Sequence, residues 1–403
     1  MWSGAIPQQA LETTDQTFAA LGLSDVVLRV LHEIGFEHPT RVQAAVIPLA
    51  LAGRDVVGLA ETGSGKTAAF GLPLVERLRK GRGLRGLILS PTREIALQTQ
   101  SFLQLFGESY GLWSVVLIGG VSLKPQTDEL RVVPDLVVAT PGRLLDHLER
   151  GNLDLDEVSE LVLDEADHML DLGFWPQVQR ILQHLPEHRH TMMFSATMPE
   201  PVERLTRRFL NDPARVDQRP QRGAAEGISH RLYLVEPEDK KSCLLALLHQ
   251  EPGSTLVFIR RRTDAEWLSR VLDNEGHPVA RIHADLTQAQ RIQALDGFRS
   301  GQHRILVATD VAARGIDVPG IEHIINFDLP DTVEDYIHRA GRTARGTALG
   351  VVSSIATWQD KPIVAMIERR LGQTLPRLTA PGVEPYEELR VKSSVRGGKR
   401  RLR

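Results

Sequence analysis

The segment AETGSGKT, residues 60–67, has the residue types and spacing of a loop that binds phosphate. It follows the apolar run DVVGLA and precedes a helical pattern, which is the setting that such a loop requires. Gly63 and Gly65 let backbone N–H groups turn toward phosphate oxygens. Lys66 can reach the β and γ phosphates, and Thr67 can offer a hydroxyl to Mg²⁺. The first residue of the segment is alanine where the usual pattern has glycine, so a glycine-rich turn without phosphate is the alternative.

Three acids follow an apolar run in LVLDEADHML, residues 161–170. A magnesium nucleotide needs hard oxygen ligands from a second strand end, because Mg²⁺ takes few protein ligands and keeps most of its waters. We expect Asp164 to hold the metal through water and Glu165 to orient or deprotonate the attacking water. A cation between these carboxylates and a triphosphate would explain why they tolerate burial. The alternative is a helix start whose acids favour the helix dipole.

The elements that must position these residues are short apolar runs separated by amphipathic stretches of helical length. Near-continuous Val, Ile and Leu indicates parallel strands covered on both faces by crossover helices. The pattern occurs before residue 200 and restarts between about residues 230 and 356. The sequence therefore predicts an α/β protein with two doubly wound parallel-sheet domains. The twelve runs are DVVGLA, GLILS, SVVLIGG, DLVVAT, LVLDEA, TMMFSAT, RLYLVE, TLVFIR, VARIHAD, RILVATD, HIINFDL and GVVSSIA.

Composition excludes several classes of protein. The 403 residues are 42% hydrophobic and 25% charged with a net charge of −3, so nucleic-acid binding would need local basic patches. Cys243 is the only cysteine, which excludes an intrachain disulfide and favours a core thiol. No membrane span or signal peptide is recognised, so a cytoplasmic protein is expected.

Composition also places the domain boundaries. NDPARVDQRPQRGAAEG is rich in Pro, Gly and charge and is typical of a linker. The end, VKSSVRGGKRRLR, is either a solvated tail or a nucleic-acid tether. The predicted segments are an N-terminal extension (1–17), an ATP-binding domain (18–211), a linker (212–227), a second domain (228–375) and a basic flexible tail (376–403).

From about Phe18 to Leu371 the chain resembles the DEAD-box ATP-dependent RNA helicases, because its motifs occur as an ordered set. The motifs are GFEHPTRVQ, AETGSGKT, PTREIALQ, TPGR, DEAD, SAT, ATDVAARGID and YIHRAGRTARGT. The resemblance implies two RecA-like domains in tandem with an interdomain cleft, and ATP and Mg²⁺ as cofactors. It also implies RNA as partner, bound with little sequence specificity, and a monomer without a membrane association.

The resemblance assigns roles to individual residues. It implies that Phe18 stacks on adenine and that Gln43 reads the adenine edge. Arg342 and Arg345 match arginine fingers that reach the γ-phosphate only when the domains close, with Asp317 nearby. The nucleotide is expected to contact Phe18, Gln43, Thr62, Gly63, Ser64, Gly65, Lys66, Thr67 and Asp317, and catalysis to depend on Lys66, Asp164, Glu165, Arg342 and Arg345, with Thr67 and Asp164 at the metal.

Two further sets follow from the resemblance. Ser195 and Thr197 are expected to hydrogen-bond Asp167 and so to couple the nucleotide state to domain geometry. The expected contacts with the nucleic-acid backbone are Pro91, Arg93, Gly119, Gly120, Thr140, Arg143, Arg260 and Thr309.

The chain departs from the commonest family residues at a few motif positions. His168 stands where arginine is usual, and Ala344 lies between the predicted fingers. No departure removes a phosphate ligand, a metal ligand or a finger. The predicted activity is hydrolysis of ATP to ADP and phosphate coupled to local separation of RNA duplexes. A nucleotide-gated RNA clamp or annealing scaffold and a DNA translocase are the alternatives.

Overall fold

The computed structural model describes residues 13–60, 63–79, 81–219, 227–313, 320–343 and 349–384. The chain divides into two compact units, Met1–Pro220 and Gln221–Arg403, and each is described by itself. Each unit contains a parallel sheet with helices packed on it, which confirms the predicted α/β class and the two RecA-like domains. No helix within the described residues is long and apolar enough to cross a membrane.

The first unit forms, within its described residues, a seven-stranded sheet in the order β3-β4-β2-β5-β6-β1-β7. Its strands are β1 (Val56–Leu59), β2 (Gly86–Leu89), β3 (Ser114–Leu117), β4 (Leu136–Ala139), β5 (Glu160–Leu163), β6 (His190–Ser195) and β7 (Ala214–Asp217). Its helices are α1 (Asp25–Glu33), α2 (Arg41–Leu51), α3 (Lys66–Leu78), α4 (Arg93–Gly107), α5 (Leu123–Leu130), α6 (Pro141–Glu149), α7 (Ala166–Asp171), α8 (Trp175–Gln183) and α9 (Glu200–Phe209).

The central strands of this sheet are buried on both faces. In β1, Val56 packs into one apolar cluster and Val57 into the other, and both side chains are 0% exposed. Val162 and Leu163 of β5 divide in the same way. This alternation follows from the period of two in a strand, and it explains why the sequence runs are continuously apolar.

The strand order brings the ends of β1, β5 and β6 to one edge of the sheet, because all the strands are parallel. The phosphate loop follows β1, and the acids follow β5. The neighbouring strand β6 ends at Ser195, whose carbonyl oxygen accepts a hydrogen bond of 3.1 Å from the Ala60 backbone N–H. The fold therefore places the predicted motifs side by side.

The prediction that a linker begins at residue 212 is wrong, because Ala214–Asp217 is the edge strand β7 paired with β1. The Ala214 N–H donates to the carbonyl oxygen of Asp55 at 2.7 Å. The carboxylate of Asp55 also accepts from the N–H groups of Thr191 and Asn211, each at 2.7 Å. These bonds hold the chain to the sheet beyond the predicted domain end. Residues 220–226 lie outside the described part of the chain.

The second unit, within its described residues, also forms a seven-stranded parallel sheet, in the order β10-β11-β9-β12-β13-β8-β14. Its strands are β8 (Ile228–Leu234), β9 (Thr255–Phe258), β10 (Val279–Ile282), β11 (Ile305–Ala308), β12 (His323–Asn326), β13 (Gly350–Ala356) and β14 (Arg377–Leu378). Its helices are α10 (Lys240–Gln250), α11 (Arg262–Asn274), α12 (Gln288–Arg299), α13 (Asp310–Ala313), α14 (Val333–Ala340) and α15 (Lys361–Leu371).

The ordered second unit extends further than the sequence indicated. Residues 376–403 were predicted to be a flexible tail, but β14 pairs with β8 and the side chains of Ala380 and Val383 are buried. The tail prediction is therefore wrong up to this point, and residues 385–403 lie outside the described part. Cys243 is a core thiol, and burial raises its pKa to about 12.

Candidate functional site

The phosphate loop joins β1 to α3, which begins at Lys66. Gly63 and Gly65 have φ angles of +85° and +91°, a conformation that side-chain-bearing residues rarely adopt. The Lys66 ammonium is buried and donates to the carbonyl oxygen of Ala60 at 2.9 Å. This bond joins the start of α3 to the residue that follows β1. Ser64 of the loop and Thr67 of α3 are half-buried, and Thr62 lies outside the described residues.

Gln43 lies against this loop. It is the third residue of α2, where its Oε1 accepts from the Thr40 N–H at 2.8 Å as part of a capping box. Its Nε2 donates to the carbonyl oxygen of Gly65 at 3.1 Å, and the residue is 0% exposed. A Cβ on Gly65 would lie 2.5 Å from this nitrogen, so the contact depends on glycine. The predicted adenine reader therefore also holds the phosphate loop.

Phe18, predicted to stack on adenine, lies in a short 3₁₀ helix, Phe18–Leu21. Phe18 is 3% exposed and belongs to an apolar cluster with Val27 and Val46. Stacking on a base requires an accessible ring face. The stacking role stays a prediction that depends on this ring becoming accessible.

The acids after β5 are buried as a group. Asp164 is 4% exposed and Glu165 is 9% exposed. The pKa of Asp164 is raised to about 7, chiefly by desolvation and also by the negative charge of Glu165, while the positive charge of Lys66 opposes both effects. Strand β6 pairs with both β1 and β5, so the phosphate loop and the acidic strand end lie at the same edge of the sheet. A carboxyl in this position favours a neighbouring cation.

The structure brings Asp167, Ser195 and Thr197 into one hydrogen-bonded group. The Asp167 N–H donates to Ser195 Oγ at 3.1 Å. Asp167 Oδ2 accepts from the Thr197 N–H at 2.7 Å and from Thr197 Oγ1 at 2.9 Å. The first turn of α7 is therefore attached to the end of β6.

Four residues predicted to contact nucleic acid lie together at the carboxyl edge of the first sheet. The Arg93 guanidinium covers Gly120 so closely that a Cβ there would overlap it. Arg143 Nη2 donates to the next carbonyl oxygen, that of Val121, at 2.9 Å, and Thr140 Oγ1 donates to Leu117 at 3.4 Å. Desolvation lowers the pKa of Arg143, Asp146 opposes this, and the charge of Arg93 lowers it again. Two neighbouring guanidinium groups suit a polyanion.

The remaining predicted residues of this edge are Pro91 and Gly119. Pro91 is buried and directly precedes Thr92, the N-cap of α4, whose hydroxyl accepts from the Ile95 N–H at 3.3 Å. Gly119 is half-buried beside Arg93. The cap therefore fixes the start of the helix that carries Arg93.

The described nucleic-acid candidates of the second unit are engaged within it. Arg260 Nη2 donates to the carbonyl oxygen of Leu329 at 3.0 Å and lies 3.2 Å from Asp331 Oδ1. Thr309 is buried at the end of β11, where its N–H donates to Ile282 at 3.3 Å. Each lies beside a strand end, as a residue that contacts a ligand from a rigid sheet would.

Arg342, a predicted finger, lies two residues beyond the end of α14 and is 5% exposed. Its N–H donates to the carbonyl oxygen of Arg339 at 3.0 Å. Arg345 and Asp317 lie outside the described residues. The geometry of the predicted finger pair is therefore described for Arg342 alone.

Sequence reasoning missed Arg339, which is 2% exposed. Its Nε and Nη2 bind the two oxygens of Asp310 at 2.6 and 2.7 Å. Its Nη1 donates to Asn326 Oδ1 at 2.9 Å, and its guanidinium lies 4.7 Å from the centre of the Phe258 ring. The signal in the sequence is the first arginine of HRAGR. An arginine on a helix that packs against apolar strands needs an acidic partner when it is buried.

Sequence reasoning also missed a contact of His168. Its Nδ1 lies 2.9 Å from Glu165 Oε2, and both side chains are buried. The signal in the sequence is the spacing of three residues, which places the two side chains on one face of a helix start.

Comparison with known protein families agrees with this arrangement. Residues 40–205 match the family model described as DEAD/DEAH box helicase, and residues 239–347 match the model of the helicase conserved C-terminal domain. The chain is 40% identical over 370 residues to the DEAD-box ATP-dependent RNA helicase CshA of Geobacillus kaustophilus, covering 91% of this chain and 79% of CshA. This protein belongs to the DEAD/DEAH box helicase family.

Two other members of the family are also similar to this chain over most of its length. The chain is 40% identical over 364 residues to the ATP-dependent RNA helicase DbpA of Bacillus subtilis, covering 90% of this chain and 76% of DbpA. Among solved structures, it resembles Dbp5 of S. cerevisiae bound to RNA and ADP BeF3, with a TM-score of 0.82 and 29% identity over 94% of this chain and 99% of Dbp5. The similarity therefore extends through both helicase domains.

Proposed function

We propose that this DEAD/DEAH box helicase is an ATP-dependent RNA helicase that hydrolyses ATP to ADP and phosphate and locally separates RNA duplexes. Its relatives CshA and DbpA bear that name, and the Dbp5 structure contains RNA and a nucleotide. The observation that carries the proposal is geometric: the phosphate loop follows β1, the buried acids Asp164 and Glu165 follow β5, and β6 pairs with both strands, so the two motifs lie at one edge of the sheet. This arrangement of motifs is the one that splits a nucleotide in P-loop enzymes.

In the proposed reaction, the loop N–H groups and Lys66 hold the β and γ phosphates. Glu165 orients the attacking water and accepts its proton. Arg342 and Arg345 of the second domain reach the γ-phosphate and stabilise the charge that develops in the transition state. An arginine finger contributes about 10³ to 10⁵ in rate, so hydrolysis would be controlled by the approach of the two domains.

The donor set fits magnesium. Thr67 offers a hydroxyl and Asp164 a carboxylate, which are the hard oxygen ligands that Mg²⁺ prefers. Among the described residues, no group of three or more His, Cys, Asp and Glu side chains could hold a metal ion. The Thr67 hydroxyl would hold a magnesium ion together with Asp164, which would act through water, and the ion would neutralise phosphate charge.

Base recognition is assigned to Gln43, Phe18 and Asp317. The Gln43 amide can donate to and accept from adenine in one plane, a pairing that guanine mismatches. Because the same amide contacts Gly65, adenine binding would act directly on the phosphate loop. Asp317 is proposed to lie near the ribose and the fingers.

RNA binding is assigned to the arginine-rich edge of the first domain and to Arg260 and Thr309 of the second. Arginines, hydroxyls and backbone N–H groups hold phosphates without reading bases, so little sequence preference is expected. The group of Asp167, Ser195 and Thr197 would transmit the nucleotide state, because it attaches the acidic motif to the end of β6. We expect the protein to act as a monomer.

A strand-displacement assay tests the proposal. A short RNA duplex with one labelled strand is incubated with the full-length protein and either ATP or no nucleotide. The proposal requires ATP-dependent release of the labelled strand. ATP hydrolysis with RNA binding but without release would instead identify a clamp, and stimulation by DNA at least equal to that by RNA would indicate a DNA translocase.

A further inference from the structure

We propose that His168 is a positioning residue that holds the Glu165 carboxylate for ATP hydrolysis. The inference rests on the proposed function, because it gives a partner to the residue that would activate water. His168 follows the acidic motif, at a position where the sequence departs from the usual arginine.

The two side chains lie within hydrogen-bond distance of each other. His168 Nδ1 lies 2.9 Å from Glu165 Oε2, and the two residues are 5% and 9% exposed. An imidazole that carries a hydrogen on Nδ1 donates to this oxygen, because an ionised carboxylate only accepts. A hydrogen bond to a buried carboxylate is stronger than one at the surface and fixes the side-chain torsions.

Glu165 needs such a partner because its backbone is unusual. Its φ and ψ are 50° and 57°, a left-handed conformation, at the N-cap of α7. Among the described residues, Asp212 is the other non-glycine residue with positive φ. Such a conformation costs on the order of 1 kcal/mol and persists where the surroundings enforce it. The Glu165 carboxylate lies beside His168, three residues later at the start of the same helix.

The histidine is itself fixed by the group that contains Asp167. The His168 N–H donates to Asp167 Oδ1 at 3.0 Å, while Asp167 Oδ2 accepts from Thr197 at 2.7 and 2.9 Å. A displacement at the end of β6 would therefore move the His168 ring and, through it, the Glu165 carboxylate. This route connects the proposed coupling group to the proposed water-activating residue.

Among the described residues, the bond to Glu165 is the one hydrogen bond that the imidazole makes. Its Nε2 is buried and has no hydrogen-bond partner within the described residues. A leucine of similar volume at position 168 would remove that unsatisfied nitrogen together with the bond to Glu165. The fold should therefore tolerate the substitution better than catalysis does.

Three substitutions separate positioning from packing. His168→Leu removes the donor. His168→Asn keeps an amide nitrogen near the place of Nδ1, whereas His168→Gln carries its nitrogen one bond further out, near the place of Nε2. Asparagine and glutamine are thus a matched pair that differ in whether the donor reaches Glu165.

Steady-state ATPase at saturating RNA gives the result. We expect His168→Leu to lower kcat about 10-fold, because removal of a group that orients a catalytic side chain has an effect of about this size. The KM for ATP should stay within about twofold of wild type. His168→Asn should recover most of kcat and His168→Gln should not. Wild-type kcat in His168→Leu, or equal kcat in the asparagine and glutamine variants, would overturn the proposal. If the leucine variant does not fold, the asparagine and glutamine pair decides.

Glu165→Gln separates this inference from the proposed function. If wild type shows no RNA-stimulated ATPase, or if Glu165→Gln retains it, the proposed function or its assignment of Glu165 fails. If Glu165→Gln is inactive and His168→Leu is fully active, only the role of His168 fails.

Discussion

The side-chain amide of Gln43 donates to the carbonyl oxygen of Gly65, 22 residues later, while its own oxygen caps α2 at Thr40. One buried side chain therefore joins a helix start to the phosphate loop. Under the proposed function, recognition of the base by Gln43 would therefore be coupled to the arrangement of the loop through a single amide.

Two substitutions at Gln43 test this coupling. Gln43→Ala removes both hydrogen bonds, and we expect ATP to lose its binding advantage over GTP. Gln43→Glu keeps the acceptor for the Thr40 N–H but places a carboxylate oxygen against the Gly65 carbonyl oxygen, so ATP affinity should fall about 10-fold with little change in melting temperature. Competition of ATP and GTP for a fluorescent nucleotide measures both effects. Preserved discrimination in Gln43→Ala contradicts adenine reading.

Gly65→Ala tests the shape of the loop. Alanine at position 65 would have to adopt an unfavourable φ of +91°, and its Cβ would lie 2.5 Å from Gln43 Nε2. Gly35→Ala is the matched control, since Gly35 has φ +79° with nothing within 4 Å of the added atom. Both variants should lose about 1 kcal/mol of unfolding free energy from the backbone conformation alone. Only Gly65→Ala should lose ATP binding in titration calorimetry, and ATP affinity equal to that of Gly35→Ala would refute the argument.

Thr197→Val tests the coupling group. Valine keeps the N–H bond to Asp167 Oδ2 but removes the hydroxyl bond of 2.9 Å. We expect the number of RNA strands separated per ATP hydrolysed to fall about fivefold. This decrease corresponds to a loss of coupling free energy of roughly 1 kcal/mol. Thr191→Val in β6, the strand that precedes Thr197, is the control, because Thr191 Oγ1 is buried and has no hydrogen-bond partner among the described residues. An unwinding yield per ATP that is the same in both variants would count against the coupling role.

The second domain should lose stability as the pH falls below neutral. Desolvation lowers the pKa of His230 from 6.5 to about 4, so the unfolded chain binds a proton that the folded chain excludes. This stability is fully present above pH 6.5 and is lost between pH 6.5 and 4, by roughly 3 kcal/mol at most. His230→Asn keeps a hydrogen-bonding side chain beside the Tyr336 hydroxyl and cannot become charged.

Melting temperatures of the full chain between pH 7.5 and about 4.5 check this prediction. The decrease should be smaller in His230→Asn than in wild type. It should not vanish, because burial also lowers the pKa of His323 to about 4. An unchanged pH dependence in the variant would remove His230 from the explanation.

The core strands could be predicted from the sequence because their apolar runs are buried on both faces. The edge strands could not. In β7 the run ARVD buries only Val216, and in β14 both residues are exposed, so neither segment carries a strong apolar signal. This is why the predicted linker and tail began too early.

The sequence was sufficient to predict that the motifs of the candidate site lie close together, because parallel strands bring their carboxyl ends to one edge of the sheet. The individual contacts could not. The bonds from Lys66 to Ala60 and from Gln43 to Gly65 depend on rotamers and on the left-handed turn at Gly65, which sequence spacing does not specify.

The measurement that tests the central claim most directly is ATPase activity of the full-length protein with and without single-stranded RNA, in wild type and in Glu165→Gln. We predict a several-fold stimulation of wild type by RNA, and in Glu165→Gln unchanged ATP affinity with turnover reduced to background. Equal wild-type rates with and without RNA, or turnover retained in Glu165→Gln, would contradict the account.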